Sequence, residues 1–265
     1  MDPLQILDSA SILATLAFFA LSAAYDLKTR EVSDRVWLLY GPLGLALTAV
    51  RLYLIPSLLT LTLLSVGITT LASFGLLYFG LVGGADTKAL ICLGLTIPLV
   101  PSSYAPLVGY LHPFFPIVVI VISFFCLAAA VLWYGFKNLI TFIRQGSRMF
   151  AGLSEEPWWR KLLASITGYP TSPARLKSTF YLYPMEEVVK VGNRPRRKFH
   201  LFFAAETDRD KAVSRFLKSL GKVGRPRKVW VSPGLPMLVF ILIGLIITLI
   251  AGDLIFGTIF LFATR

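Results

Sequence analysis

The sequence predicts an α-helical polytopic membrane protein with about six transmembrane helices and a small α+β cytoplasmic domain inserted between helices five and six. Two observations support this fold class. Apolar residues make up 56% of the 265 residues and charged residues only 15%, a balance far from that of a soluble domain. Several runs also reach the roughly 20 apolar residues that cross a hydrocarbon core about 30 Å thick.

Six apolar runs account for the predicted spans. The first follows residues 1–3, which lack the basic region of a signal peptide, so we expect it to be retained as a span. The runs predict a membrane region over 1–143, a basic soluble domain over 144–231 and a last helix within 232–265. The predicted spans are 5–25, 35–54, 57–82, 87–110, 114–143 and 236–262.

Charge predicts the sidedness of these spans. Segment 144–230 holds 19 Lys and Arg against 7 Asp and Glu, whereas the remaining residues hold 7 against 7. Cytoplasmic loops near spans carry the excess of Lys and Arg, and the loop after span one adds Lys28, Arg30 and Arg35. We therefore expect that loop, the turn before Asp86 and the soluble domain to face the cytoplasm, with both termini outside.

The soluble domain is predicted to contain two helices and three strands. Ser154 is the expected N-cap of the first helix, with Glu155 and Glu156 in its first turn, and Gly168 and Pro170 end it. The second helix is expected over 208–220, and strands over 178–191, 196–206 and 228–232. The first helix has an apolar face suited to a lipid interface, formed by Trp158, Trp159, Leu162, Leu163 and Ile166.

The basic charge of this domain favours contact with membrane lipids over nucleic acid. Its Lys and Arg residues form no aromatic-interleaved stripe, and basic residues beside spans are expected from topology alone. Contact with anionic headgroups is the favoured interpretation, and we expect no nucleic-acid partner.

Asp86 is the first candidate functional residue. Across the 55 residues 57–111 the charged residues are Asp86 and Lys88. A carboxylate at the centre of a span costs about 2.5 to 3.5 kcal/mol on insertion scales and is usually retained for function. The small residues Gly83, Gly84 and Ala85 precede it, and small residues allow close helix approach and non-helical backbone. The alternative is that Asp86 simply caps span four.

Asp26 is the second candidate, at the end of span one. Its simplest role is that of a polar residue facing headgroups, but the predicted topology puts it at the same cytoplasmic boundary as Asp86. Two adjacent carboxylates do not both ionise easily, so one keeps a proton. The charged one can then take a proton from water while the other hydrogen-bonds a scissile carbonyl. Asp34 is a rival for the first position, although capping of span two explains it.

Other catalytic sets find little support. His112 and His200 are far apart in sequence and on opposite predicted sides, which disfavours a zinc site or a histidine-based serine triad. Cys92 and Cys126 both lie in apolar runs and are expected to be small buried hydrophobes.

These residues resemble the prepilin peptidase family of membrane aspartyl proteases, which carry a Gly-x-Gly-Asp motif. The archaeal branch, which processes archaellins (preflagellins) and pilin-like proteins, is the most similar. The likeness covers nearly the whole chain and rests on three segments: Asp26-Leu27-Lys28-Thr29-Arg30-Glu31-Val32, Gly83-Gly84-Ala85-Asp86-Thr87-Lys88 and Trp230-Val231-Ser232-Pro233.

The resemblance implies an aspartic endopeptidase with Asp26 and Asp86 as its catalytic pair. Gly83, Gly84, Ala85 and Lys88 would support the active-site loop. The expected partners are pilin-like and archaellin precursors, whose short basic leader is cut at the cytoplasmic membrane boundary just before a hydrophobic helix.

Two departures from the family pattern stand out. Ala85 replaces a glycine of the motif, and its methyl group disfavours a positive φ there. Bacterial members usually carry a cysteine-rich zinc domain and also N-methylate the trimmed pilin, whereas this chain has only 2 cysteines. We therefore expect peptidase activity without methylation, no cofactor and no metal.

Three alternatives stay open at this point. A presenilin-like or signal-peptide-peptidase-like protease shares the Tyr25-Asp26 pair, but such proteins have more spans and a Pro-Ala-Leu element. A proton-coupled transporter could use the aspartates as a relay, although no inverted repeat is visible and both lie at one boundary. The third alternative is a non-catalytic scaffold.

Overall fold

The computed structural model describes residues 2–102, 104–110, 112–191, 194–200, 209–224 and 226–263. The chain forms two compact units, the first made of Met1–Leu127 with Pro236–Arg265 and the second of Ala128–Leu235. The helices are α1 (Pro3–Thr29), α2 (Asp34–Leu54), α3 (Leu59–Tyr78), α4 (Gly84–Thr96), α5 (Phe115–Gln145), α6 (Trp158–Thr167), α7 (Pro173–Ser178), α8 (Arg209–Leu220), α9 (Met237–Ala251) and α10 (Leu254–Ala263).

Four helical segments in the described residues are long and apolar enough to cross a membrane: Pro3–Thr29, Asp34–Leu54, Pro56–Tyr78 and Phe115–Phe150. The chain is therefore mostly helical with several candidate spans, and its second unit carries a small α+β part. This confirms the predicted fold class in its coarse form.

Buried polar residues and exposed apolar residues mark the first unit as a membrane domain. The side chains of Ser22, Thr69 and Ser73 are fully buried, whereas Leu38 and Leu71 are more than 70% exposed. This is the reverse of a soluble helical bundle, and it suits helices whose outer faces meet lipid.

Glycines let these helices pack closely. A Cβ on Gly44 of α2 would lie 2.1 Å from Thr96 Oγ1 of α4, and one on Gly94 would lie 3.1 Å from a methyl carbon of Thr69 in α3. Such small residues at helix interfaces are the usual packing device in membranes. α4 is thereby held between α2 and α3, while α1 packs on α9.

Span four is shorter than predicted. The prediction of a helix over 87–110 is wrong, because α4 ends at Thr96. Pro98 has no N–H to continue the helix and disfavours helical geometry in the residue before it. The segment that follows instead pairs with the end of α9, where the N–H of Leu107 donates to the Ile250 carbonyl at 3.1 Å.

The predicted sixth span is interrupted. The helix expected over 236–262 breaks between α9 and α10, at Gly252 and Asp253. Gly252 has φ +84°, and a Cβ there would lie 2.3 Å from the Gly109 carbonyl oxygen. Asp253 is buried and accepts backbone hydrogen bonds from His112 at 3.1 Å and Phe256 at 3.2 Å. A glycine with left-handed backbone followed by an N-terminal cap explains the break.

A second buried carboxylate, Asp8, lies in α1. Asp8 Oδ1 is 2.5 Å from Nη2 of Arg51 in α2, and both side chains are less than 7% exposed. The Ser102 hydroxyl donates to the other oxygen of Asp8 at 3.4 Å. A buried charge needs such a partner, so we interpret this pair as a structural contact between α1 and α2.

The described residues of the second unit form two small antiparallel sheets. In the first, β5 pairs with both β1 and β2, and in the second β3 pairs with β4 as a hairpin. The strands are β1 (Tyr169–Thr171), β2 (Leu182–Pro184), β3 (Glu186–Val191), β4 (Arg194–Phe199) and β5 (Val229–Pro233).

The strand predictions hold in part. The strand expected over 178–191 is two strands, and the N–H of Met185 between them donates to the Trp230 carbonyl at 2.9 Å. β4 ends at Phe199, and the later part of the predicted 196–206 strand lies outside the described residues. The strand at 228–232 is confirmed as β5, whereas β1 was not predicted.

The helix predictions for this unit also hold in part. The second helix is confirmed as α8 over Arg209–Leu220, while Asp208 lies outside the described residues. The first helix begins at Trp158 with Pro157 as its N-cap, so the prediction of a cap at Ser154 is wrong. Pro157 has no N–H, so it leaves no unpaired donor at the N-cap.

Candidate active site

Asp26 lies near the C-terminal end of α1, with its side chain 13% exposed. The helix stops at Arg30, which has the left-handed φ of 60° and donates its N–H to the Asp26 carbonyl at 3.1 Å. The same turn brings Arg30 Nη1 to 3.9 Å from Asp26 Oδ1. The backbone N–H of Leu238, in the first turn of α9, is also directed at the carboxylate as a hydrogen-bond donor.

Asp86 lies in the first turn of α4. The interpretation of Asp86 as the N-cap is wrong, because Gly83 is the N-cap and Asp86 is the third residue of the helix. Asp86 Oδ2 accepts the Gly83 N–H at 2.8 Å, and the Thr87 hydroxyl donates to the Gly83 carbonyl at 2.9 Å. A carboxylate at this position satisfies an otherwise unpaired N–H and suits the positive end of the helix dipole.

The structure places Asp26 and Asp86 within electrostatic range of each other. They come from the end of α1 and the start of α4, two helices that pack against each other. The side chains are near enough for the charge of Asp26 to act on Asp86. Both carboxylates are partly exposed. Protein contacts hold them, and a molecule in solution can still reach them.

The small residues before Asp86 serve close approach. Gly84 and Ala85 are the first two residues of α4, and Gly83 has φ −87°, so none of the three needs a positive φ. Ala85 therefore fits this position as well as glycine would. A Cβ on Gly83 would lie 3.3 Å from Asp86 Oδ2, which is the tight contact that favours glycine there.

Lys88 and Asp34 pair with each other. Lys88 Nζ lies 2.5 Å from Asp34 Oδ1, with the two side chains 48% and 73% exposed. Ser33 caps α2 and Asp34 is its first residue, so the prediction of Asp34 as the cap is wrong by one residue. The ion pair joins the starts of α2 and α4 beside Asp86.

Sequence reasoning missed the contribution of α9 to this site. Leu238 follows β5 by only a few residues, and β5 carries the Trp230-Val231-Ser232-Pro233 segment. The sequence signal that could have indicated this contact is the position of the segment just before the apolar run that starts with Pro236. For metal binding, no three His, Cys, Asp or Glu side chains cluster in the part of the chain that the structure describes.

Comparison with known proteins identifies two family models along the chain. The type IV leader peptidase family matches residues 13–133, and the type II C-terminal region of archaeal A24 peptidases matches residues 160–254. The preflagellin peptidase of Methanocaldococcus jannaschii is 26% identical over 243 residues, covering 89% of this chain and 92% of that protein. The chain belongs to the archaeal prepilin and preflagellin peptidases of the type IV leader peptidase family.

Proposed function

We propose that this peptidase cleaves the short basic leader from pilin-like and archaellin precursors, with Asp26 and Asp86 as its catalytic pair. The observation that supports the proposal is that these two carboxylates, at the end of α1 and the start of α4, lie within electrostatic range of each other. Family membership supports the reaction class, and the name of the M. jannaschii relative supports the substrate class.

The chemistry follows from two carboxylates that share one proton. The ionised carboxylate takes a proton from water, which attacks the scissile carbonyl, while the protonated one hydrogen-bonds the carbonyl oxygen. Because the groups interact, they titrate as a unit. Arg30 at 3.9 Å and the Leu238 N–H stabilise a negative charge on Asp26, and the Gly83 N–H stabilises one on Asp86.

We further propose that the site lies at the cytoplasmic boundary. In this proposal the chain crosses the membrane six times, and α9 and α10 together make the sixth crossing. Both termini then lie outside. The domain limits proposed from the sequence are 1–143, 144–231 and 232–265. The basic residues of 144–230 support a cytoplasmic soluble domain. A precursor whose leader ends where its hydrophobic helix begins would then present its cut site at the depth of Asp26 and Asp86.

The test is cleavage of an archaellin precursor by the purified full chain in lipid. Asp26→Asn and Asp86→Asn keep the shape of each side chain but remove its acid–base function, and each is expected to lower the cleavage rate by at least about 1,000-fold. Asp34→Asn is the matched control, because this aspartate is also at the boundary but is exposed and paired with Lys88. Cleavage undiminished in Asp26→Asn or Asp86→Asn would remove that residue from the mechanism.

A further inference from the structure

A basic cleft in the second unit has no role in the proposed reaction. Its volume is about 990 Å³, within the range of small-molecule sites. Residues from the end of α5 to Glu156, from β3 and β4, and from the segment before β5 line it. The basic residues of this lining are Arg148, Arg196, Arg197, Lys198, Arg227 and Lys228.

Two of these basic residues are neutralised by carboxylates. Arg197 forms a buried bidentate ion pair with Glu186: Nε donates to Oε2 at 2.6 Å and Nη2 donates to Oε1 at 2.7 Å. Arg196 pairs with Glu155, which also lines the cleft. These two arginines therefore stabilise the walls of the cleft and add no uncompensated charge to it.

The other four basic side chains, on Arg148, Lys198, Arg227 and Lys228, are exposed. In the described part of the chain, no carboxylate lies within ion-pair distance of any of them. Glu156, the second acidic residue of the lining, pairs with Arg160 at 3.3 Å. The cleft thus presents several uncompensated positive charges around one concave space, which suits a compact anion.

Arg148 connects the cleft with a candidate membrane span. Arg148 belongs to the helical segment Phe115–Phe150, one of the candidate spans. α5 has 31 residues and is about 46 Å long, slightly more than the 40–45 Å of a bilayer with its headgroup regions. α5 is therefore long enough for its C-terminal end, where the lining of the cleft begins, to reach the headgroup region.

The helix after the cleft has an apolar exposed face. Ser154, Glu155 and Glu156 line the cleft, and α6 begins two residues later at Trp158. Trp158 is 75% exposed and Leu162 is 51% exposed. Two aromatic residues at the start of a short amphipathic helix are typical of a helix lying in the lipid interface, and this face adjoins the cleft directly along the chain.

We propose that the cleft binds the phosphate of an anionic phospholipid headgroup while the apolar face of α6 lies in the lipid interface beside it. Proteins that bind single-stranded nucleic acid carry exposed aromatic groups within the basic surface for stacking on the bases. Here the exposed tryptophans lie on the adjoining helix, which needs an apolar environment. The lipid occupant satisfies both the charge and the apolar face.

Native mass spectrometry of the full chain, titrated in detergent with dioctanoyl-phosphatidylglycerol, tests the proposal. Phosphatidylcholine with the same chains is the comparison lipid. Each Lys or Arg near an anionic lipid surface contributes about fivefold to binding, so the double variant Arg227→Gln with Lys228→Gln should bind phosphatidylglycerol about 30-fold more weakly. Lys198→Gln alone should lose about fivefold.

The matched control is Lys177→Gln with Lys218→Gln, which removes the same charge from exposed positions outside the cleft. It should change binding by less than about twofold. Equal losses in the cleft and control variants would overturn the proposal, as would equal binding of phosphatidylcholine. Displacement of the lipid by equimolar inorganic phosphate would reassign the cleft to a free anion, and tighter binding of a single-stranded oligonucleotide would reassign it to nucleic acid.

Discussion

Replacement of Arg197 by Met tests how the second unit is held together. Arg197 donates to both oxygens of Glu186, at 2.6 and 2.7 Å, and to the carbonyls of Ala151 and Lys228, each at 3.1 Å. Glu186 is fully buried and also accepts the Trp230 N–H at 2.6 Å. The substitution leaves a buried carboxylate without its countercharge, which costs about 3–5 kcal/mol of unfolding free energy.

Pulse proteolysis of the full chain in urea measures this loss. With a slope of about 2 kcal/mol per molar urea for a small domain, the unfolding midpoint of the second unit should fall by about 2 M. Arg196→Met is the matched control, one position along the same strand. Its pair with Glu155 is exposed, at 46% and 70% for the two side chains, so its loss should be within about 1 kcal/mol.

A double variant separates the lost charge from lost packing. Arg197→Met with Glu186→Leu removes both charges and should recover at least half of the stability lost by Arg197→Met alone. Losses of equal size in Arg197→Met and Arg196→Met, or no recovery in the double variant, would refute the claim that a buried ion pair organises this unit.

Three further substitutions probe other contacts. Gly244→Ala would put a Cβ 2.9 Å from the backbone nitrogen of Ser123 and push α9 away from α5. Thermal unfolding should therefore show a loss of about 1–3 kcal/mol in the free energy of unfolding. The control Gly67→Ala has open space around its Cβ and should show no loss. Asn138→Leu removes hydrogen bonds to two carbonyls at the end of α6, at 2.7 and 2.5 Å, and should cost about 1–3 kcal/mol by urea unfolding. Lys88→Gln breaks an exposed pair, so precursor cleavage should stay within about fivefold, and a larger fall would indicate contact with substrate.

Hydropathy predicted α1, α2, α3 and α5 because each is a long apolar run, and Pro42 lies inside α2 without ending it. It overextended span four, although Pro98 and Pro101 were available as stop signals. It also read through Gly252 and Asp253, where a glycine and a carboxylate in an apolar run mark the break. In both places the mean hydropathy of the run stayed high although prolines, or a glycine followed by an aspartate, interrupted the helix.

The sequence predicted the two carboxylates of the candidate site but not the residues that surround them. Asp26 and Asp86 could be paired from topology, because the spans determine which ends share a boundary. The approach of Leu238 to Asp26, like the pairing of Lys88 with Asp34, depends on helix rotation and on contacts between residues far apart in sequence. Likewise, β1 pairs with β5 about 60 residues away, and no local pattern encodes that register.

The central claim is that Asp26 and Asp86 act as one catalytic unit. The most direct test compares single-turnover cleavage of an archaellin precursor by Asp26→Asn, by Asp86→Asn and by the double variant. Residues that act as a unit are strongly non-additive, so the double variant should be no more than about threefold slower than the slower single variant. A double-variant loss equal to the product of the two single losses would contradict the account, because the aspartates would then contribute independently.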